Sequence, residues 1–248
     1  MKKKYIFLLL LIAFIFRIGV MLWSFNFREN TDILRYRDWA QIAHVYNLED
    51  TYKKEHLSFG TLPNNHPPGS LYIIQGAYET QIQIAKIYYK ITHQTPENSQ
   101  WINGPLINAS LRLPSIIADL IIAGLIYLVV KSKSSEKRGI IASSIFIFNP
   151  VIIYNSSFLG QMDALNNLFF YISLYFLISG KFLKSLLSFF LSLYIKLSLL
   201  YLLPFILLIL WLSIRQKIKL LIYGIMSVAA ILILTLPISP TPHIWLMD

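Results

Sequence analysis

Arg17, Arg112, Asp119, Asp163 and Lys196 are the five ionisable side chains whose placement in or beside apolar runs could do chemistry. Asp163 closes the run Gly160-Gln161-Met162-Asp163, where an apolar stretch has just given way to Ser156 and Ser157. A backbone break there would present Gln161 and Asp163 to a cavity; the plainer reading is a polar turn in which Asp163 caps the next helix. Lys196 stands alone in LSLYIKLSLLYLLP. An ammonium in such surroundings is costly unless it meets a phosphate or a buried carboxylate, or snorkels to the interface. Arg17, Arg112 and Asp119 also lie inside apolar runs, where ionisable groups face a bundle interior or a wet cavity. Asp119 follows Arg112 by seven residues, two turns along one helical face, so both fit a single interior polar stripe. Arg17 reads as a structural or snorkelling residue.

Composition sets the elements that must hold these groups. The chain of 248 residues is 56% hydrophobic and 14% charged, with a mean hydropathy of +0.57. That is too apolar for a soluble domain, and the expected fold class is an all-α, polytopic membrane bundle. A helix needs roughly 20 apolar residues to cross the hydrocarbon, fewer inside a bundle. Seven stretches qualify, about 5–25, 105–130, 139–156, 164–180, 185–199, 201–214 and 219–237, the fifth and sixth forming a tight hairpin. The net charge of +10 does not mark a nucleic-acid partner, because Lys and Arg punctuate the apolar runs instead of clustering on one face. With the amino terminus inside, Lys2–Lys4, Lys131–Arg138, Lys181–Lys184 and Arg215–Lys219 are cytoplasmic. They hold twelve Lys and Arg against Glu136 alone, the positive-inside pattern. The first span reads as an uncleaved anchor, since it is longer than a signal-peptide core and no A-x-A-like site follows. There is no cysteine, which excludes disulfides and Cys-ligated metal.

Residues 26–104 form one long extracytoplasmic loop with seven Lys and Arg and eight Asp and Glu. Ordered loops of that length are usually functional. Ile33, Tyr36, Ala40 and Ala43 mark one face of a helix lying on the membrane surface, with Asp32 in its first turn. A second surface helix is expected from about Ser70 to Ile91, after Pro67-Pro68, which hold the preceding His66 extended. The chain reads as one membrane module over residues 1–248.

As a set, these motifs resemble the polyprenyl-phosphate-sugar-dependent glycosyltransferases of the GT-C superfamily. The likeness is to the glucosyltransferases of lipid-linked oligosaccharide assembly and to GPI-anchor-type mannosyltransferases. Asp32, followed by Arg37 five residues on and Trp39 seven residues on, matches the spacing of the first group. His66-Pro67-Pro68-Gly69 is similar to its Tyr-Pro-Pro-Leu segment, and Arg112 to Leu120 resembles its Arg-x6-Asp-Leu. Gly160 to Asp163 resembles its Gly-Gln-x-Asp loop, and Lys196 with Leu203-Pro204 resembles its lysine followed by Leu-Pro. The likeness runs over about residues 5–237.

The resemblance implies transfer of a mannose- or glucose-class hexose from a polyprenyl-phosphate carrier to a hydroxyl of a lipid-linked, protein or glycan acceptor, with inversion. Asp32 is then the catalytic general base and Lys196 neutralises charge on the departing phosphate. Arg37, His66, Gln161 and Asp163 bind donor phosphate or sugar, while Trp39, Arg112 and Asp119 are structural polar groups. A phosphate leaving group does not demand the second carboxyl of glycoside hydrolases. No cofactor or metal is expected, with a divalent cation between Asp32 and Asp163 as the alternative. Such enzymes commonly have ten or more spans, so the chain is expected to lack carboxyl-terminal spans, with a partner subunit as one source of them. Membrane lipids surround it, and the expected place is a bacterial plasma membrane with the active site outside. Two other classes stay open. One is a transporter or flippase of lipid-linked sugars, for which intramembrane charges speak but no inverted repeat is visible. The other is a non-catalytic membrane subunit.

Overall fold

The computed structural model describes residues 4–27, 31–53, 62–92 and 105–236; Lys2, Lys3 and Asp248 lie outside the described residues. Those residues are helical and contain no strand. In chain order the helices are α1 (Lys4–Ser24), α2 (Thr31–Val45), α3 (Pro68–Thr92), α4 (Pro105–Lys133) and α5 (Glu136–Ile147). They continue with α6 (Pro150–Ile153), α7 (Asp163–Ile178), α8 (Phe182–Ile195), α9 (Leu203–Ser213) and α10 (Lys217–Thr235).

Helices α1, α4 and α10 are long and apolar enough to cross a bilayer, and α5 with Pro150–Leu159 makes a fourth if the bent pair is one span. The seven spans expected from hydropathy are not confirmed. Helices α7, α8 and α9 are apolar but have 16, 14 and 11 residues. At about 1.5 Å per residue none reaches the roughly 30 Å of a hydrocarbon core.

The bend after α5 has a local cause. Pro150 has no N–H with which to continue the ladder. Asn149 starts a new turn by accepting the Val151 N–H at 2.9 Å, with proline in the first position, where it is tolerated. The two halves meet at 51°. The second half widens into a π-helical turn, Tyr154–Leu159, and stops at Gly160, whose φ of 75° is left-handed.

Packing then brings the loop helices onto the bundle. Ile33, Tyr36 and Trp39 of α2 and Leu71, Ile74 and Tyr78 of α3 share a buried core with Ile107 and Leu111 of α4 and Leu165 of α7. Helix α3 starts at Pro68, two residues before the expected Ser70, because proline suits a first helical position. Ala13 of α1 and Ala123 of α4 lie in one buried cluster with Ile147, and small residues of this kind let helix backbones approach closely. Ser143 of α5 adds a hydrogen bond of 2.9 Å to the Ala123 carbonyl. A separate core joins Leu186 and Phe189 of α8 to Ile206 and Leu210 of α9. The outer faces stay apolar: Phe7 and Ile15 of α1 are 68% and 61% exposed and Ile233 of α10 is 65% exposed. Continuous surfaces of this kind belong against lipid rather than water.

Candidate functional site

Helix α2 opens with Thr31-Asp32, which puts the Asp32 carboxylate at the positive end of the helix dipole. Gln161 reaches it from the far side of Gly160: its Nε2 donates to Asp32 Oδ2 at 2.9 Å. Gly160 has to be glycine twice over. Its φ is left-handed, and a Cβ there would lie 2.6 Å from both Arg112 Cγ and Ile33 Cδ1. Ser115 of α4 fixes the next residue by donating to the Gln161 carbonyl at 2.7 Å. Arg112 donates to the Phe158 carbonyl at 3.3 Å and to the Asn108 carbonyl at 3.2 Å.

Asp163, at the start of α7, is the second carboxylate. Lys196 Nζ donates to its Oδ1 at 2.5 Å, and Asn155 Nδ2 donates to its Oδ2 at 3.4 Å. Lys196 occupies an extended residue between α8 and the tight turn Leu197–Leu202, so the backbone turns aside there and the ammonium meets Asp163. The anion that Lys196 requires is thus a carboxylate of the same chain.

His66 completes this face. Its ring lies 5.6 Å from that of Trp39 and 6.0 Å from that of Tyr36. Asn64 Oδ1 accepts its backbone N–H at 2.9 Å, and its carbonyl accepts the Tyr52 hydroxyl at 3.1 Å. Its Nδ1 is buried without a hydrogen-bond partner. Burial first, and then the Lys196 ammonium, push the imidazole down to about 4, so it is neutral at pH 7. The Tyr36 hydroxyl, buried and facing the negative charges of Asp32 and Asp163, is pushed up.

The structure therefore brings together Asp32, His66, Gln161, Asp163 and Lys196. Five residues on from Asp32, Arg37 lies about 140° around a helix, and its charge acts on Tyr78 of α3. Arg35, one turn from Asp32, stands 3.8 Å from its Oδ1. Arg35 and Asn155 are the members that sequence reasoning missed; the i,i+3 spacing of Asp32 and Arg35 was the available signal. Trp39 is 2% exposed and donates its indole N–H to the Leu62 carbonyl at 2.8 Å, holding the approach to His66.

Arg112 and Asp119 are both buried along α4 and serve different partners. Asp119 pairs with Arg17 at 3.1 Å, and Arg17 is fully buried at the helix break, not snorkelling. Among the described residues, no group of three or more His, Asp or Glu side chains is placed to hold a metal ion.

A family model described as GPI transamidase subunit PIG-U matches residues 64–247. Comparison with curated proteins and with solved structures finds no match. The family match overturns the resemblance to GT-C glycosyltransferases. The expected hexosyltransferase activity, its mannosyltransferase variant, the polyprenyl-phosphate sugar donor and the lipid-linked or glycan acceptor are all withdrawn, and with them goes the reaction that gave Asp32 a proton to remove. A bacterial plasma-membrane location finds no support in the match either. The physical reason is that short motifs record local polar needs. Here the lone lysine is neutralised by the aspartate of Gly-Gln-x-Asp, and the early aspartate accepts from Gln161 and stands near Arg35, an arrangement that does not require a donor phosphate.

Proposed function

This chain belongs to the PIG-U family, the family of GPI transamidase subunit PIG-U, and we propose that it is a non-catalytic membrane subunit of a GPI transamidase. The observation that carries this reading is the family match over residues 64–247, which takes in His66, Gln161, Asp163 and Lys196. The geometry supports it from a second side. The carboxylates that an enzyme would keep available are engaged within the chain, Asp163 by Lys196 and Asp32 by Gln161. The chain also has no cysteine, so an acyl transfer that runs through a thiol nucleophile would take that thiol from another subunit.

In this role the polar cluster braces the fold. Asp32, Gln161, Asp163 and Lys196 tie α2, the turn after Gly160, α7 and the turn after α8 into one surface that a neighbouring subunit can meet. The membrane is then the one in which a GPI transamidase works.

The test is replacement of the resident subunit. In cells depleted of their own PIG-U, the tagged chain should copurify in mild detergent with the remaining transamidase subunits and restore a GPI-anchored reporter at the cell surface. Failure to copurify from membranes that contain the folded chain overturns the proposal.

A further inference from the structure

Helix α5 and the turn that follows it are joined across a break, and the group that spans the break comes from a different helix. In an uninterrupted helix the Ile147 carbonyl would accept the Val151 N–H. Here that N–H goes to the Asn149 side chain, which leaves the carbonyl without its helical partner. Arg17 of α1 supplies the missing donor: its Nη2 donates to the Ile147 carbonyl at 2.8 Å. Its Nη1 donates to Ser156 Oγ at 2.9 Å and to Ser157 Oγ at 3.4 Å on the other side of the break. Asp119 of α4, 3.1 Å from Nη1, balances the charge. A guanidinium fork can serve both halves at once, which an ammonium on a flexible stem does less well.

We infer that Arg17 is a latch across this break, fixing the π-helical turn that places Gln161 and Asp163 and so coupling α1 to the polar cluster. The turn transmits the restraint directly. The Gln161 N–H donates to the Asn155 carbonyl at 3.0 Å, and Asn155 and Gln161 then contact Asp163 and Asp32. Arg112 and Ser115 hold the far end of the turn, at the Phe158 and Gln161 carbonyls. A cleft of about 380 Å³, lined by Asp119, Asn155, Ser156 and Asn167 among others, lies beside the turn.

The absence of native cysteine makes the test clean. Met162, 0% exposed and directly before Asp163, is changed to cysteine, and its maleimide labelling rate is followed in the full chain in detergent. A second reporter, L186C, sits in the separate core of α8. R17M/D119M removes the whole ion pair and leaves no lone buried charge, a replacement that folds often tolerate. It should raise labelling at position 162 at least tenfold, or about 1.4 kcal/mol in the opening equilibrium, with position 186 unchanged. S156A/S157A, which keeps the ion pair, should raise labelling in the same direction by less. Protection at 162 in both folded variants overturns the latch, and so does a parallel rise at 186, which would mark general loosening. If R17M/D119M fails to fold, S156A/S157A decides alone by the same two readings. Labelling does not depend on assembly with other subunits, so its outcome is separate from that of the family-based function.

Discussion

The Arg17–Asp119 pair and the Lys196–Asp163 pair use the same kinds of group in different surroundings. The first is 0% and 3% exposed, the second 28% and 27%. Where water is absent, an ionic group must be matched almost completely by its neighbours, and Arg17 accordingly has a carboxylate, two hydroxyls and a carbonyl. Where water has partial access, one strong contact suffices, and the rest of the hydration is kept. The buried pair is therefore committed to the fold, whereas the partly exposed pair braces it with a smaller share of its stability.

The comparison breaks first at Arg17. R17M alone strands the Asp119 carboxylate, and removal of one partner of a buried pair costs about 3–5 kcal/mol; thermal unfolding in detergent should show it, with much of the loss recovered in R17M/D119M. An R17M chain as stable as the wild type would show that the pair is not dry.

Next comes the hinge between the two regions. G160A should lose about 2 kcal/mol or more, from left-handed backbone strain and from crowding against Arg112 and Ile33. K196M should cost on the order of 1 kcal/mol, because the partly solvated Asp163 keeps its water and its contact with Asn155. A loss from K196M as large as that from R17M would erase the distinction drawn here.

A pH dependence gives the last test. His66 is held at about 4 in the folded chain, below its unfolded value near 6.5. Between those values the unfolded chain binds a proton that the folded chain does not. Stability present above about pH 6.5 therefore falls as pH drops towards 4. The melting temperature of H66Q should decline less than that of the wild type between pH 7 and 5.

Much of the local structure was legible in the sequence. Apolar runs marked the starts of α1, α4 and α10, and the helical face of Ile33 and Tyr36 marked α2. One helical stretch ends at Gly160 and the next begins at Asp163, as the residue types of Gly160-Gln161-Met162-Asp163 indicated, but Met162 holds the cap position and the Asp163 carboxylate meets Lys196 instead of capping the helix. The seven spans read from hydropathy are not confirmed, because hydropathy measures how apolar a stretch is and α7, α8 and α9 are apolar but short. The candidate site was half legible. Asp163 and Lys196 stood out as costly charges, but a phosphate and a carboxylate satisfy a lysine equally well in a one-dimensional reading.

The sequence by itself determined where helices begin, bend and stop, since proline, asparagine and glycine act on their own few residues: Asn149-Pro150 breaks one helix and Gly160 ends the next turn. Only the tertiary structure decided which charges meet. Arg17 and Ser156 are 139 positions apart, and Asp32 and Gln161 are 129 apart. The helical period assigns a side chain to a face but says nothing of which helix will lie against that face. That choice is made when the whole bundle packs, and it turned a set of costly charges into mutual partners.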